Sequence, residues 1–334
     1  MTPAPHAPTY TKGGSFVVST DLRCAVLDDY QGVALGLADW SRVRATSFRE
    51  HFTSADDLVA AIQDYEIVVA MRERTPFPAE VFDRLPHLRL LVTTGMSNAA
   101  IDLEAARAHG VTVSGTGGGW TSTVELTWAL ILGLARHLVP EATALRGGGP
   151  WQHTLGTDLH GRTLGLLGLG RIGSQVAAVG RAFGMDVLAW SQNLTRERAE
   201  AAGARLAPSL DALLADSDVV SVHLVLGDRT RGLVGARELA AMKPTAYLVN
   251  TSRAAIVDQS ALASALREGR IAGAGLDVFD EEPLPAGHDF RTLPNVLATP
   301  HLGYVTERNY ATFFRDAVAD IDAFLDGSPL RVLT

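Results

Sequence analysis

Short apolar runs alternate along the chain with segments whose apolar residues fall at helical spacing. Residues 24–27, 67–71, 88–93 and 111–113 read as strands. Between them, Ala55–Ile62 and 78–85 read as helices, and 103–109 reads as a helix stopped by Gly110. This βα alternation predicts a parallel-sheet domain up to about residue 118. Residues 115–119 are Gly-Thr-Gly-Gly-Gly, a flexible punctuation, and 147–149 form a second glycine cluster. The pattern between them, 122–145, predicts one connecting helix. Its most apolar part, 126–139, is interrupted by Arg136 and His137 and is too short to cross a bilayer, so it is expected to be buried. A second series, 163–169, 187–190, 219–224, Tyr247–Asn250, 273–277 and Val296–Ala298, predicts six strands of a doubly wound sheet. Glu307–Leu325 returns to helical spacing with no further domain's worth of sequence behind it, so this helix must pack on something already built. The expectation is two α/β domains with a cleft.

Composition narrows the functional classes. With 334 residues, two domains are expected, and 47% apolar with 20% charged residues is globular composition. A net charge of −8 without a dense Lys/Arg block argues against a nucleic-acid surface or an anionic membrane as partner. The one cysteine, Cys24, cannot form an internal disulfide and sits in an apolar run, which suits a core thiol in a reducing, cytoplasmic setting. Residues 1–20 lack the apolar stretch of a signal peptide and are expected to be a flexible N-terminus.

The most informative loop follows the strand at 163–169. Gly168-Leu169-Gly170-Arg171-Ile172-Gly173 leads into helical spacing, a strand–glycine turn–helix arrangement. Gly168 permits the tight turn, Gly170 lets backbone approach a pyrophosphate, and Gly173 lets the helix lie close to the strand. The helix N-terminus supplies N–H donors for phosphates. At the end of the next strand, where an acid would read the NAD ribose, stand Ser191, Gln192 and Asn193. Ser191 and Asn193 can hydrogen-bond a 2′-hydroxyl, and Arg196 or Arg198 can neutralise a 2′-phosphate, so both NAD and NADP stay open.

Three later segments each place a polar residue just past an apolar strand: Arg253 after 247–250, Glu282 in the stretch following 273–277, and His301 after 296–298. In open α/β sheets that edge faces the ligand. Oxidising a hydroxy acid requires a cation for the carboxylate, an acid/base for the hydroxyl proton and a hydride acceptor. Arg253 offers the planar fork that suits a carboxylate. His301 can exchange a proton near neutrality, with Glu282 stabilising its protonated form. Each residue alone has an ordinary surface alternative. Together, downstream of a dinucleotide loop, they suggest a site.

With these segments in the same order and spacing, the chain resembles the D-isomer-specific 2-hydroxyacid dehydrogenase family from about Cys24 to the C-terminal helix. The matching segments are 168–173, 249–253, 275–279 with Glu282-Pro283, and 299–303. The resemblance implies a Rossmann domain at 120–300 and a discontinuous flavodoxin-like substrate domain at 21–119 plus 301–334, with the active site in the cleft. It implies that Arg253 binds the substrate, that His301 is the acid/base paired to Glu282, and that Asp277 holds the nicotinamide carboxamide. His223, Thr230 and Thr251 join the candidate cofactor contacts. It also implies a small 2-oxo or 2-hydroxy acid as substrate and a homodimer, with no metal. Where the family has a glycine-rich substrate loop, this chain has Gly95-Met96-Ser97-Asn98, so Met96 and Ser97 are candidate substrate contacts, and Arg72 and Arg74 suit a second anionic group. Two alternatives keep the same fold: oxidation of a phosphorus-containing acid, and a dinucleotide-sensing corepressor without turnover. A formate dehydrogenase would pair its histidine with glutamine, where Glu282 stands.

Overall fold

The aliphatic run Ile67-Val68-Val69-Ala70 is buried at every residue, as a central parallel strand covered on both faces must be. In the computed structural model, which describes residues 21–334, it is β3 of a five-stranded parallel sheet. The others are β1 (Arg23–Val26), β2 (Arg44–Ser47), β4 (Leu90–Thr93) and β5 (Thr112–Gly115), in the order β2-β1-β3-β4-β5. This is the flavodoxin-like order. β2 was not expected from the pattern. It is an edge strand reading Arg-Ala-Thr-Ser, half exposed, with no apolar run to betray it. The expected N-terminal segment 1–20 lies outside the described residues.

The first compact unit runs to Gly118 and resumes at Tyr310–Thr334. Its returning helix buries Phe313 and Phe314, with Phe314 against Trp40 at 6.4 Å between ring centroids. Each such phenyl contributes roughly 1.5–3 kcal/mol of burial, which suffices to dock a tail helix. The last residues then cover the β5 edge, with Gly115 N–H donating to Arg331 O and Leu333 N–H to Val113 O.

The second unit, Gly119–Asn309, holds a seven-stranded parallel sheet. Its strands are β6 (Thr163–Leu167), β7 (Asp186–Trp190), β8 (Arg205–Leu206), β9 (Val219–Val222), β10 (Tyr247–Asn250), β11 (Gly273–Leu276) and β12 (Val296–Ala298). The order is β12-β11-β10-β9-β6-β7-β8, so the chain reverses direction across the sheet between β6 and β9. Alternate residues serve two cores: Leu164, Leu166 and Val249 face one, Leu167, Val220 and Leu248 the other. The two-residue β8, like β2, is a short edge strand without an apolar signature.

Two expectations differ from the fold. The single helix expected over 122–145 is two helices, Thr121–Ala135 and Leu138–Arg146, separated at His137, whose φ is 49°. Pro140 explains the break: in a continuous helix its ring would meet the carbonyl of Arg136, whereas the first turn of a new helix accepts it. Within the stretch expected to be buried, the second helix buries no residue. The second difference concerns residues 301–309, which belong to the second unit, so the boundary falls at 309/310 rather than at 300/301. Side chains pin them there. Thr123 Oγ1 donates to Gly303 O, Gly119 N–H donates to Asn309 Oδ1, and Asn309 Nδ2 donates to Ser122 Oγ and Tyr304 O.

Candidate active site

β6 ends into the glycine loop at the reversal point of the seven-stranded sheet, where doubly wound sheets bind ligands. Gly168 N–H donates to Trp190 O, and His223 N–H donates to Leu167 O, so the loop lies between the ends of β7 and β9. Gly168 has φ of 99°, and a Cβ there would stand 2.6 Å from His223 O. A Cβ on Gly173 would stand 2.2 Å from Gly168 O, so only glycine lets the helix Arg171–Ala182 start this close to the turn. Gly170 faces open space, with nothing within 4 Å of a Cβ position. Two closed glycines and one open one fit a dinucleotide pyrophosphate laid over Gly170, with Arg171 and Ile172 opening the helix above it.

Ser191, Gln192 and Asn193 follow β7 beside this loop, and no carboxylate stands among them. His223 is half-buried, and desolvation pushes its imidazole down to about 4, with Ser221 Oγ 2.9 Å from Nε2. Thr230 spends its hydroxyl closing its own loop: Oγ1 donates to Val225 O and accepts from Gly227 N–H.

The Arg253, Glu282 and His301 segments follow β10, β11 and β12, three adjacent strands of the same sheet. After β10, Asn250 Oδ1 accepts from Ser252 N–H and its amide donates to Arg253 O, while Ser252 Oγ donates to Leu224 O. The turn that presents Arg253 is thereby fixed. After β11, Glu282 Oε1 accepts from Phe279 N–H, which aims Oε2 at His301 Nδ1, 2.7 Å away. Both side chains retain partial exposure. His301 itself has φ of 53°, a conformation that costs a residue with a Cβ roughly 1–2 kcal/mol. Asp277 compensates. Its Oδ1 accepts from Thr299 Oγ1 and Leu302 N–H, and its Oδ2 from Gly303 N–H, all at 2.7–2.8 Å. Burial pushes this carboxyl up, against those donors and the nearby His301. Asp277, expected at the nicotinamide, thus gives both oxygens to the turn that carries His301. Thr251, also expected at the cofactor, is buried with its hydroxyl 2.8 Å from that of Thr127.

Arg72, Met96 and Ser97 lie together in the first unit. Arg72, with φ of 53°, donates its N–H to Thr94 Oγ1 and lays its guanidinium across Gly95, where a Cβ would stand 2.3 Å from Nη1. Asn98 secures the loop by donating to Thr93 Oγ1 and Arg72 O. Glu73 Oε2 lies 3.9 Å from Arg72 Nε, and Arg74 sits over the Tyr30 ring at 5.3 Å. Sequence reasoning missed Thr123, Thr127 and Asn309. Their signal was readable only as polar residues on otherwise apolar helical faces.

Residues 128–303 match the model of the D-isomer specific 2-hydroxyacid dehydrogenase, NAD binding domain. A glyoxylate reductase of Aeropyrum pernix is 43% identical over 257 residues, 74% of this chain and 76% of the relative. A D-3-phosphoglycerate dehydrogenase of Methanocaldococcus jannaschii is 37% identical over 75% of this chain, but that match spans only 48% of its own length. The crystal structure of a phosphoglycerate oxidoreductase from Vibrio cholerae superposes with a TM-score of 0.87 at 36% identity, over 92% of this chain and all of that one.

The chain belongs to the D-isomer specific 2-hydroxyacid dehydrogenase family. It is an oxidoreductase with an NAD-binding Rossmann-type domain, acting between 2-hydroxy and 2-oxo acids with an NAD(P) cofactor. The glycine loop of this dehydrogenase falls inside the matched residues, as do Arg253, Glu282 and His301. Among the described residues, no helix is long and apolar enough to cross a membrane.

Proposed function

We propose that this dehydrogenase reduces compact 2-oxo acids to D-2-hydroxy acids, with His301 as acid/base paired to Glu282 and Arg253 binding the substrate carboxylate. The observation that carries the reading is the 2.7 Å contact between His301 Nδ1 and Glu282 Oε2, at the sheet edge that also bears Arg253 and the glycine loop. With Nδ1–H donated to Glu282, the tautomer and ring orientation are fixed, and Nε2 is the atom that exchanges a proton with the substrate oxygen. Reduction takes that proton from His301; oxidation returns it. Arg253 holds the carboxylate by its planar fork and so sets the face of the 2-oxo carbon. When bound, the nicotinamide supplies or accepts the hydride at that carbon.

Gly168, Gly170, Arg171, Ile172 and Gly173 hold the pyrophosphate in this reading, with Ser191, Gln192 and Asn193 at the ribose and His223 and Thr230 beside the loop. Arg72, Met96 and Ser97 contact the substrate. The names of the relatives, glyoxylate reductase and D-3-phosphoglycerate dehydrogenase, support a short 2-oxo acid with little beyond its carboxylate or one further anionic group. We place the assembly as a homodimer through the second unit.

The deciding experiment follows absorbance of NADH and NADPH separately with glyoxylate, hydroxypyruvate, pyruvate, phenylpyruvate and phosphohydroxypyruvate. Oxidation of cofactor by glyoxylate or hydroxypyruvate supports the reading. Silence across the panel in protein that binds the dinucleotide would remove it in favour of the sensor alternative.

A further inference from the structure

One helix reaches both the turn that carries His301 and the turn that carries Arg253. Within Thr121–Ala135, Thr123 Oγ1 donates to Gly303 O at 3.0 Å, two residues past His301. One helical turn on, the fully buried Thr127 donates its hydroxyl proton to Thr123 O at 2.8 Å, while its oxygen lies 2.8 Å from Thr251 Oγ1. A threonine has a single hydroxyl proton, so with that of Thr127 committed to a carbonyl, Thr251 is the donor in the hydroxyl pair. Thr251 stands two residues before Arg253.

The placement is specific. Positions 123 and 127 share one helical face, and their neighbours Val124, Trp128 and Ile131 are buried and apolar. Gly303 is confined between the two sides: a Cβ there would stand 3.1 Å from Asp277 Oδ2 and 3.4 Å from Thr123 Oγ1. The turn carrying His301 is therefore gripped by Asp277 through its N–H groups and by Thr123 through its carbonyl. The turn before Arg253 is tied to the same helix through Thr251 and Thr127.

We infer that Thr123 and Thr127 are positioning residues which, from one helix face, set the separation between His301 and Arg253. This inference rests on the reading that those two residues carry the proton transfer and the carboxylate. Neither threonine touches the reactants in this scheme; each acts through the backbone of a turn.

The test combines Thr123→Val, Thr127→Val and the corresponding Thr→Ser variants with His301→Ala and Arg253→Ala, in full-length protein. Dinucleotide affinity and thermal midpoint are measured for each. Thr123→Val is expected to lower kcat about tenfold to a hundredfold, as small misplacements of reacting groups do, and to move the pH profile of kcat while dinucleotide affinity holds. Thr127→Val is expected to act mainly on KM for the 2-oxo acid. Serine, which keeps the hydroxyl, is expected to restore each to within about threefold of wild type. In a His301→Ala background Thr123→Val should cost no more than about twofold further, because residues acting as a unit are not additive. The same holds for Thr127→Val in Arg253→Ala. Wild-type kcat and KM in both valine variants, or losses that persist undiminished in the alanine backgrounds, would overturn the positioning role. If His301→Ala and Arg253→Ala themselves turned over normally, the underlying site assignment would fall instead.

Discussion

At the scale of single residues, the proposed chemistry depends on how few freedoms His301 keeps. Its Nδ1 faces Glu282 and its backbone is held in a left-handed conformation by Asp277. His301→Ala should therefore slow turnover by at least about a hundredfold, the ordinary worth of a general acid/base. Glu282→Gln keeps the shape but can present its amide N–H₂ to Nδ1, which disturbs the tautomer, and it should lower kcat more than it raises KM. Steady-state kinetics with glyoxylate across pH checks both, and wild-type rates in His301→Ala would remove its role. The cofactor loop gives a sharper steric case. Gly173→Ala places a methyl 2.2 Å from Gly168 O, so helix and turn must part. Dinucleotide binding should be abolished or weakened at least tenfold, at a stability cost of about 1–3 kcal/mol. Calorimetric titration with NADH measures the first and urea unfolding the second. Since no carboxylate follows β7 to repel a 2′-phosphate, the same titration should find NAD(H) and NADP(H) within about tenfold of each other. At this scale much was legible, because Arg253, Glu282, His301 and the three glycines sit in short motifs just past apolar strands. Thr123, Thr127 and Asn309 were not, since nothing in a polar residue on a helix says which distant carbonyl it will meet.

At the scale of elements, legibility followed burial. The covered strands β3, β4, β6, β9 and β10 announce themselves as apolar runs, whereas the edge strands β2 and β8 carry Arg-Ala-Thr-Ser and Arg-Leu and do not. Pro140 divided a continuous apolar pattern through backbone sterics that periodicity does not register. The C-terminal strap is another element decided by particular contacts. Arg331, itself at φ 48°, reaches the fully buried Asp320 at 3.0 Å and donates to Asp316 O. Burial pushes the Asp320 carboxyl up to about 6, against the pull of Arg331 and with a further push from Asp316. The folded-state value thus lies above the unfolded one, so the folded chain holds more protons between about 4 and 6, and this residue's contribution fades as pH rises through that window. Relative to Asp320→Asn, wild-type stability should fall across it by no more than about 3 kcal/mol and then level off. Paired urea unfolding curves at pH 4, 5, 6 and 7 read this directly; parallel pH profiles for the two proteins would sink it.

At the scale of the whole molecule, the two-sheet plan and the first crossing near residue 118 could be read from βα alternation and the glycines at 115–119, but the second crossing, where the chain returns to the first unit after Asn309, could not. That boundary is set by Asn309, whose side chain joins Gly119, Ser122 and Tyr304 near both crossings. The second unit also carries a stretch of exposed apolar side chains. Leu138, Val139 and Leu145 on a helix without buried residues, and Trp151 and Leu155 in the stretch after it, are all more than half exposed, Trp151 at 78% and Leu155 at 92%. Apolar side chains gathered on one stretch of surface are costly in water and mark an interaction face. In the proposed homodimer a second copy of the same chain would cover this stretch, the partner that closed two-fold symmetry supplies. The stretch is also held in shape by its own polar contacts, Glu141 accepting from Thr154 N–H and lying 3.3 Å from His153 Nδ1. A prearranged apolar face loses less freedom on docking than a floppy one. Sedimentation equilibrium at micromolar concentration should therefore find a dimer. Trp151→Glu should shift it to monomer while leaving dinucleotide affinity within about twofold, because the glycine loop lies on other elements of the unit. A wild-type monomer under those conditions would end the dimer reading, and a Trp151→Glu dimer as tight as wild type would move the interface elsewhere.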